Sequence, residues 1–180
     1  MVVFASGCAH VASPEEVERS RRELELAAAL HDEQNIPGAI SRLQTALELD
    51  PGNAEAHLLF AVIQHLHRRN TPVAEEHARR GVKLLVEQER PGATLAEARN
   101  ILGNILIEGG KFEEAITVLR AAAVDDMNTS PHLAWGNLGY AYLRWDKPQE
   151  ALEPLLQAVQ IQPRFCVGFH RLGQAYVQLE

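Results

Sequence analysis

Eight histidines are the side chains of this 180-residue chain best suited to metal or proton chemistry, and their spacing argues against both. His57, His65, His67 and His77 form no i,i+4 pair and have no cysteine among them, the patterns that set imidazole and thiolate ligands on one helix face. They read as solvated or helix-packed histidines. Glu15, Glu16, Glu113 and Glu114 fall in the first turns of predicted helices, where the helix dipole favours a carboxylate. No glycine-rich phosphate loop, nucleophile elbow or paired-carboxylate pattern occurs. The expectation is a chain with no catalytic residues, no cofactor, no metal and no small-molecule substrate.

The two cysteines divide by context. Cys166 lies in the apolar stretch Arg164-Phe-Cys-Val-Gly-Phe169 and is expected to be a buried thiol. Cys8 follows Ala5-Ser6-Gly7, small residues that resemble a bacterial lipobox, in which the thiol is diacylated. Ala5 stands where leucine is usual, no basic segment precedes it, and the apolar stretch is shorter than a signal requires. Lipidation of Cys8 is still favoured over a free thiol in an unstructured tail, with a leader lost to a late start or to clipping. Stable anchoring takes two or more acyl chains, at about 0.8 kcal/mol per buried methylene. No aspartate follows Cys8, which sorts such an anchor to the periplasmic face of the outer membrane. Soluble periplasmic or cytoplasmic placement is the alternative. No apolar run approaches the roughly 20 residues of a spanning helix, so membrane contact would come through the anchor alone. A net charge of −7 argues against nucleic acid, whose phosphates demand a basic surface.

Leu, Ala, Glu, Gln and Arg dominate the chain, and these residues lose least on entering a helix. They recur with a period. Trp135, Leu138, Gly139 and Tyr142 are followed by Ala151, Leu155, Ala158 and Pro163. Leu172-Gly173 and Tyr176 repeat Leu138-Gly139 and Tyr142 at an interval of 34 residues (172 − 138 and 176 − 142). Looser copies run through Ala27, Ala39 and Ala46, through Ala61, Ala74 and Ala78, and through Gly103, Ala115 and Ala122. This order, W-x2-L-G-x2-Y then A-x3-L-x2-A then P, resembles the tetratricopeptide-repeat signature. The resemblance implies an all-α, right-handed superhelical solenoid of about four and a half repeats. Residues 1–12 form a tail, and residues 13–180 form the repeat domain, with repeats near 14–53, 54–92, 93–130, 131–164 and a partial one at 165–180. Insertions near 86–92 and 125–130 fall between repeats, where they disturb stacking least.

The small residues of the signature (Ala27, Ala61, Gly103, Gly139 and Gly173 on first helices; Ala39, Ala74, Ala115 and Ala151 on second helices) let paired helices approach closely. Turn residues agree with the period. Ser13-Pro14-Glu15-Glu16 is a capping box with proline at the first helical position. Asp50-Pro51-Gly52-Asn53 and Gln162-Pro163 stop second helices, and Gly109-Gly110 turns within a repeat. The helices predicted are 14–31, 36–48, 54–68, 72–88, 93–108, 112–124, 131–144, 148–161 and 165–179, with no strand. The last is a first helix without a partner and leaves Leu172, Tyr176 and Val177 uncovered. The expectation is that the natural chain continues or that another chain covers this face.

In proteins of this signature the first helices line a concave groove. By repeat position the groove here takes Leu58, Val62 and His65, then Asn100, Asn104 and Ile107, then Leu133, Tyr140 and Leu143, then Val167, His170, Gln174 and Val177. The surface is largely apolar with a few amides, suited to an amphipathic helix or an extended apolar segment. A carboxylate clamp is the weaker alternative. Asn104, Asn137 and Arg171 occupy three of its positions, while Asn100 and Val167 stand where it needs basic residues. More closely, the chain resembles the pilotins of type IV pilus secretins, which are outer-membrane tetratricopeptide lipoproteins. That likeness rests on Cys8, on Asp126 through Gly139, on Lys147-Pro148-Gln-Glu-Ala151 and on Gln162 through Gly173. It implies an acylated cysteine, six repeats and a secretin subunit as partner, held during assembly of the secretin ring. A periplasmic or cell-envelope adaptor with another protein partner is the second possibility.

Overall fold

The structure is a computed structural model that describes residues 11–90 and 93–180. Among these residues there are nine helices and no strand: α1 (Pro14–Asp32), α2 (Ile36–Leu49), α3 (Ala54–Leu66), α4 (Thr71–Glu87), α5 (Ala93–Glu108), α6 (Phe112–Ala123), α7 (Pro131–Arg144), α8 (Pro148–Ile161) and α9 (Cys166–Leu179). The start of α1 is the predicted capping box. Ser13 Oγ accepts from the Glu16 amide at 3.3 Å, and the Ser13 amide donates to Glu16 Oε2 at 2.8 Å, so two otherwise orphaned donors are satisfied at once.

Each helix packs on the next in sequence, and each odd helix also touches the following odd helix: α1 with α3, α3 with α5, α5 with α7, α7 with α9. Even helices make no such backbone approach to one another. A stack whose odd members touch and whose even members splay must curve, with the odd helices on the inner face. On the outer face long charged side chains span the gap. Arg79 of α4 reaches Glu114 of α6 at 2.7 Å, and Lys111 reaches Glu75 at 2.6 Å. Such exposed pairs contribute about 0–1 kcal/mol each and do not set the curvature.

The small residues of the repeat set it. Ala27, Ala39, Ala61, Ala74, Ala115 and Ala151 are all 0% exposed. At Gly103 and Gly139 an added Cβ would lie inside the contact distance of Leu119 Cγ and Leu155 Cγ, the large residues of the facing second helices. Around these contacts the core is close-packed aliphatic, with Leu102, Ile105, Leu106, Leu119 and Leu138 in one continuous cluster.

The turns inside the repeats share one geometry. Gln34, Arg69, Gly110 and Asp146 have φ of 62°, 53°, 72° and 57°. After three of them the next amide reaches back to a carbonyl five residues earlier: Asn35 to Leu30, Lys111 to Leu106 and Lys147 to Tyr142, at 2.8–2.9 Å. This is the left-handed helix cap that glycine adopts without strain, and only Gly110 supplies glycine. We expect Gln34→Gly and Arg69→Gly each to stabilise the domain by about 1 kcal/mol, the cost of a left-handed conformation for a residue with a Cβ. Urea unfolding of each variant checks this; a lower midpoint would contradict it.

One buried polar device links the first repeat to the second. Ser20, 0% exposed, donates its hydroxyl to the Ala46 carbonyl at 2.8 Å and accepts from Asn53 Nδ2 at 2.9 Å. Asn53 also caps α3, its Oδ1 accepting from the Ala56 amide at 3.0 Å. Ser20→Ala leaves the Asn53 amide without this acceptor and is expected to cost about 1–2 kcal/mol in chemical denaturation.

Candidate protein-binding groove

The inner face carries a stripe of α5 residues at helical spacing, Ile101, Asn104, Ile105 and Glu108. Val62, His65 and Leu66 of α3 flank it on one side, and Asn137 and Tyr140 of α7 with Arg171 of α9 flank it on the other. Together they line a depression of about 380 Å³ that crosses four successive odd helices. A second depression of about 270 Å³ shares Ile101 and adds Asn100, Asn128, Ser130 and Leu133.

Hydrogen bonds run across the groove floor from repeat to repeat. Asn137 Nδ2 donates to Asn100 Oδ1 at 3.0 Å. Arg171 Nη1 donates to Asn137 Oδ1 at 2.9 Å and to the Gly136 carbonyl at 3.0 Å. The Arg171 guanidinium lies 4.4 Å from the Tyr140 ring centroid, in cation–π range. Arg144 bonds both the Tyr140 hydroxyl and Glu108 Oε1 at 3.0 Å. Burial pushes the His65 imidazole below its ordinary value, with Glu108 partly opposing. It also pushes Arg171 below its ordinary value, while the Tyr140 hydrogen bond holds Arg144 above its own. The arrangement offers apolar surface from Val62, Leu66, Ile101 and Ile105 beside amide and guanidinium donors.

The structure brings Val62, His65, Asn104 and Tyr140 together in this groove. Asn100 and Leu133 line the adjoining depression, and His170, Gln174 and Val177 line a separate shallow one on α9. Val167, 49% exposed, lines none of these. Leu58, Ile107 and Leu143 are corrections. At 7%, 1% and 7% exposed they are core residues. Leu58 packs with Leu84, Leu85 and Leu95, and a Cβ on Gly81 would collide with it. Ile107 joins the central cluster, and Leu143 packs with Leu155 and with Ala175 of the next repeat. Stacking of the neighbouring helices covers these positions before any partner could. The groove is also more polar than expected, through Glu108, Arg144 and Arg171. Glu108 completes the i,i+3,i+4,i+7 stripe from Ile101 and was readable from that spacing; the inter-repeat bonds had no signal in the period.

One further expectation changes. Cys166 is exposed, at the first position of α9, its Sγ 3.6 Å from the Arg164 carbonyl. Four of the histidines are helix-packed in two pairs, His57 Nδ1 to His77 Nδ1 at 3.0 Å and His31 Nε2 to His67 Nε2 at 3.3 Å. No group of three or more His, Cys, Asp or Glu side chains placed to hold a metal occurs among the described residues. No helix among the described residues is long and apolar enough to cross a membrane. Cys8 lies outside the described residues.

A curved stack of antiparallel helix pairs with a groove along its first helices defines a repeat-built protein-interaction scaffold. The sequence profile of the tetratricopeptide repeat matches residues 24–93 and 101–164, and the chain belongs to that family. Over 111 residues it is 32% identical to the type IV pilus assembly protein PilF of Pseudomonas aeruginosa, covering 62% of this chain and 41% of that relative. The chain thus spans less than half the length of that relative. In structure it resembles Pseudomonas aeruginosa PilF (TM-score 0.76, 24% identity, 91% of this chain and 70% of that one). It also resembles PilW, a widely conserved type IV pilus biogenesis factor (0.77, 23%, 88% and 69%). MamA has the same fold (0.73, 24%, 89% and 82%).

Proposed function

We propose that this chain is a lipid-anchored adaptor that binds a segment of an outer-membrane secretin subunit and promotes its multimerisation during type IV pilus assembly. The 32% identity to PilF carries this reading. The inner groove supports it, because an apolar stripe flanked by amide and guanidinium donors suits a polypeptide segment of another protein. Acylation of Cys8 would hold the scaffold at the periplasmic face of the outer membrane, beside its partner. Deleting the gene is expected to remove heat-resistant secretin multimers, and restoring it to bring them back. Persistence of multimers at normal levels overturns the reading. Mass spectrometry of the protein from its native membrane tests the anchor separately, since an unmodified Cys8 removes that part of the proposal.

A further inference from the structure

Two histidines come face to face because the repeats stack. His31 lies in the last turn of α1 and His67 caps the end of α3, 36 residues further on and close to one repeat length. Stacking of the odd helices brings like repeat positions side by side, so the two Nε2 atoms meet at 3.3 Å. The rings stand at 80° to each other with centroids 5.4 Å apart. Both sit at helix C-termini, whose partial negative charge favours a cation. The separation is long for a hydrogen bond from a ring N–H, which peaks near ~2.9–3.0 Å. It matches the bite of two imidazoles on one tetrahedral zinc. Bonds of about 2.0–2.1 Å at the tetrahedral angle put the nitrogens about 3.3 Å apart.

On its other side His31 faces a carboxylate, with Asp32 Oδ1 3.9 Å from Nδ1. That carboxylate favours the ring proton on Nδ1 and leaves the Nε2 lone pair facing His67, the outer-sphere arrangement usual for a metal-bound histidine. Arg68 and Arg69 follow His67 but lie exposed on the turn, where water and salt screen them. The His57–His77 pair is the poorer candidate. It meets at 3.0 Å, a hydrogen-bond distance, and shares its pocket with Arg79, Arg80 and Lys83, which repel a dication. We propose that His31 and His67 form a two-histidine site for zinc, with water in the remaining coordination positions. Two protein ligands make the metal exchangeable, unlike a four-ligand structural zinc. The consequence is mechanical. Of the contacts between successive odd helices, that of α1 with α3 is the slightest, and a metal shared by their ends ties the first repeat to the second.

This site needs nothing from the groove and stands apart from the partner reading above. The test is calorimetric titration of the untagged full chain with zinc sulfate, against a reference kept in EDTA. Zinc at about ten times its dissociation constant should raise the melting temperature by about 2–4 °C. His31→Gln and His67→Gln should each remove one bound zinc together with that shift, and the His57→Gln/His77→Gln double variant should keep both. Circular dichroism reports whether each variant folds. A second readout needs no variant. Substoichiometric Co2+ should broaden the ring signals of His31 and His67 in the NMR spectrum before those of the other histidines. A zinc isotherm unchanged in His31→Gln, or broadening that begins at another histidine, overturns the inference. The absence of any zinc-dependent rise in melting temperature overturns it as well.

Discussion

Gly139→Leu lowers the melting temperature of the domain by about 6–12 °C, whereas Gly173→Leu leaves it unchanged or raises it by about 2 °C. The two glycines occupy the same repeat position, so sequence period alone would predict equal effects. Their surroundings differ. A Cβ at Gly139 meets Leu155 Cγ inside contact distance, Leu155 Cδ2 at 2.7 Å and the Ala151 carbonyl at 3.3 Å. Leu155 is 0% exposed and has no free space to rotate into, and the carbonyl belongs to the helix backbone. Leucine at 139 must therefore push α7 and α8 apart, at a cost of about 3 kcal/mol. A Cβ at Gly173 meets nothing within 4 Å. There the substitution adds the helix propensity that glycine lacks, up to about 0.8 kcal/mol. Ala151→Leu attacks the Gly139 contact from the facing helix and is expected to behave like Gly139→Leu. Differential scanning calorimetry of the three variants decides the matter; equal melting of Gly139→Leu and Gly173→Leu would refute the packing register.

That contrast marks where reading the sequence stops. Small side chains at one repeat length say that helices pair closely, and the capping box and prolines say where helices start, so α1 was expected over 14–31 and runs Pro14–Asp32. The end of α3 was expected at 68 and comes at Leu66, because Arg69 turns left-handed without being glycine. Backbone strain tolerated by an arginine has no compositional mark. The groove fared similarly. A repeat position names the helix face, but depth depends on how far each repeat is rotated on its neighbour, and this rotation buries Leu143 against Ala175. It also carries Arg171 across to the Gly136 carbonyl. Gly136 reads as one more helix glycine, yet a side chain there would strike Phe165 Cε1 at 2.7 Å. Such contacts follow from the curvature, which several repeats set jointly.

Lowering the pH from 7 to 4.5 should destabilise the domain by about 2 kcal/mol through its buried histidines. The main source is the His57–His77 pair, and His65, which burial also lowers, adds in the same direction. His57 Nε2 lies 3.3 Å from the Pro51 carbonyl, so its N–H donates there and its Nδ1 is the acceptor for the His77 Nδ1–H at 3.0 Å. His77 is further enclosed by the Phe60 ring, stacked at 4.4 Å. Protonating His57 sets its new proton against the one that His77 donates. Burial first, then the charge of His77 and that of Arg80, push His57 down to about 4, with the Pro51 carbonyl and Asp50 opposing. His77 is lowered too, by burial, with Glu76 opposing. In the unfolded chain His57 titrates near 6.5. Above that value both states are neutral and the pair gives no pH dependence. Between 6.5 and 4 the unfolded state binds a proton that the folded state refuses, so stability falls as pH falls. Below 4 both states are charged and the loss is complete. A shift of that size corresponds to about 3 kcal/mol at full effect, and partial exposure to solvent reduces it to about 2. Guanidinium unfolding at pH 7.0 and 4.5 measures the difference. The His57→Gln/His77→Gln double variant should lose less than half as much between the same two pH values. An equal loss in both proteins would place the titrating groups elsewhere and end this account of the pair.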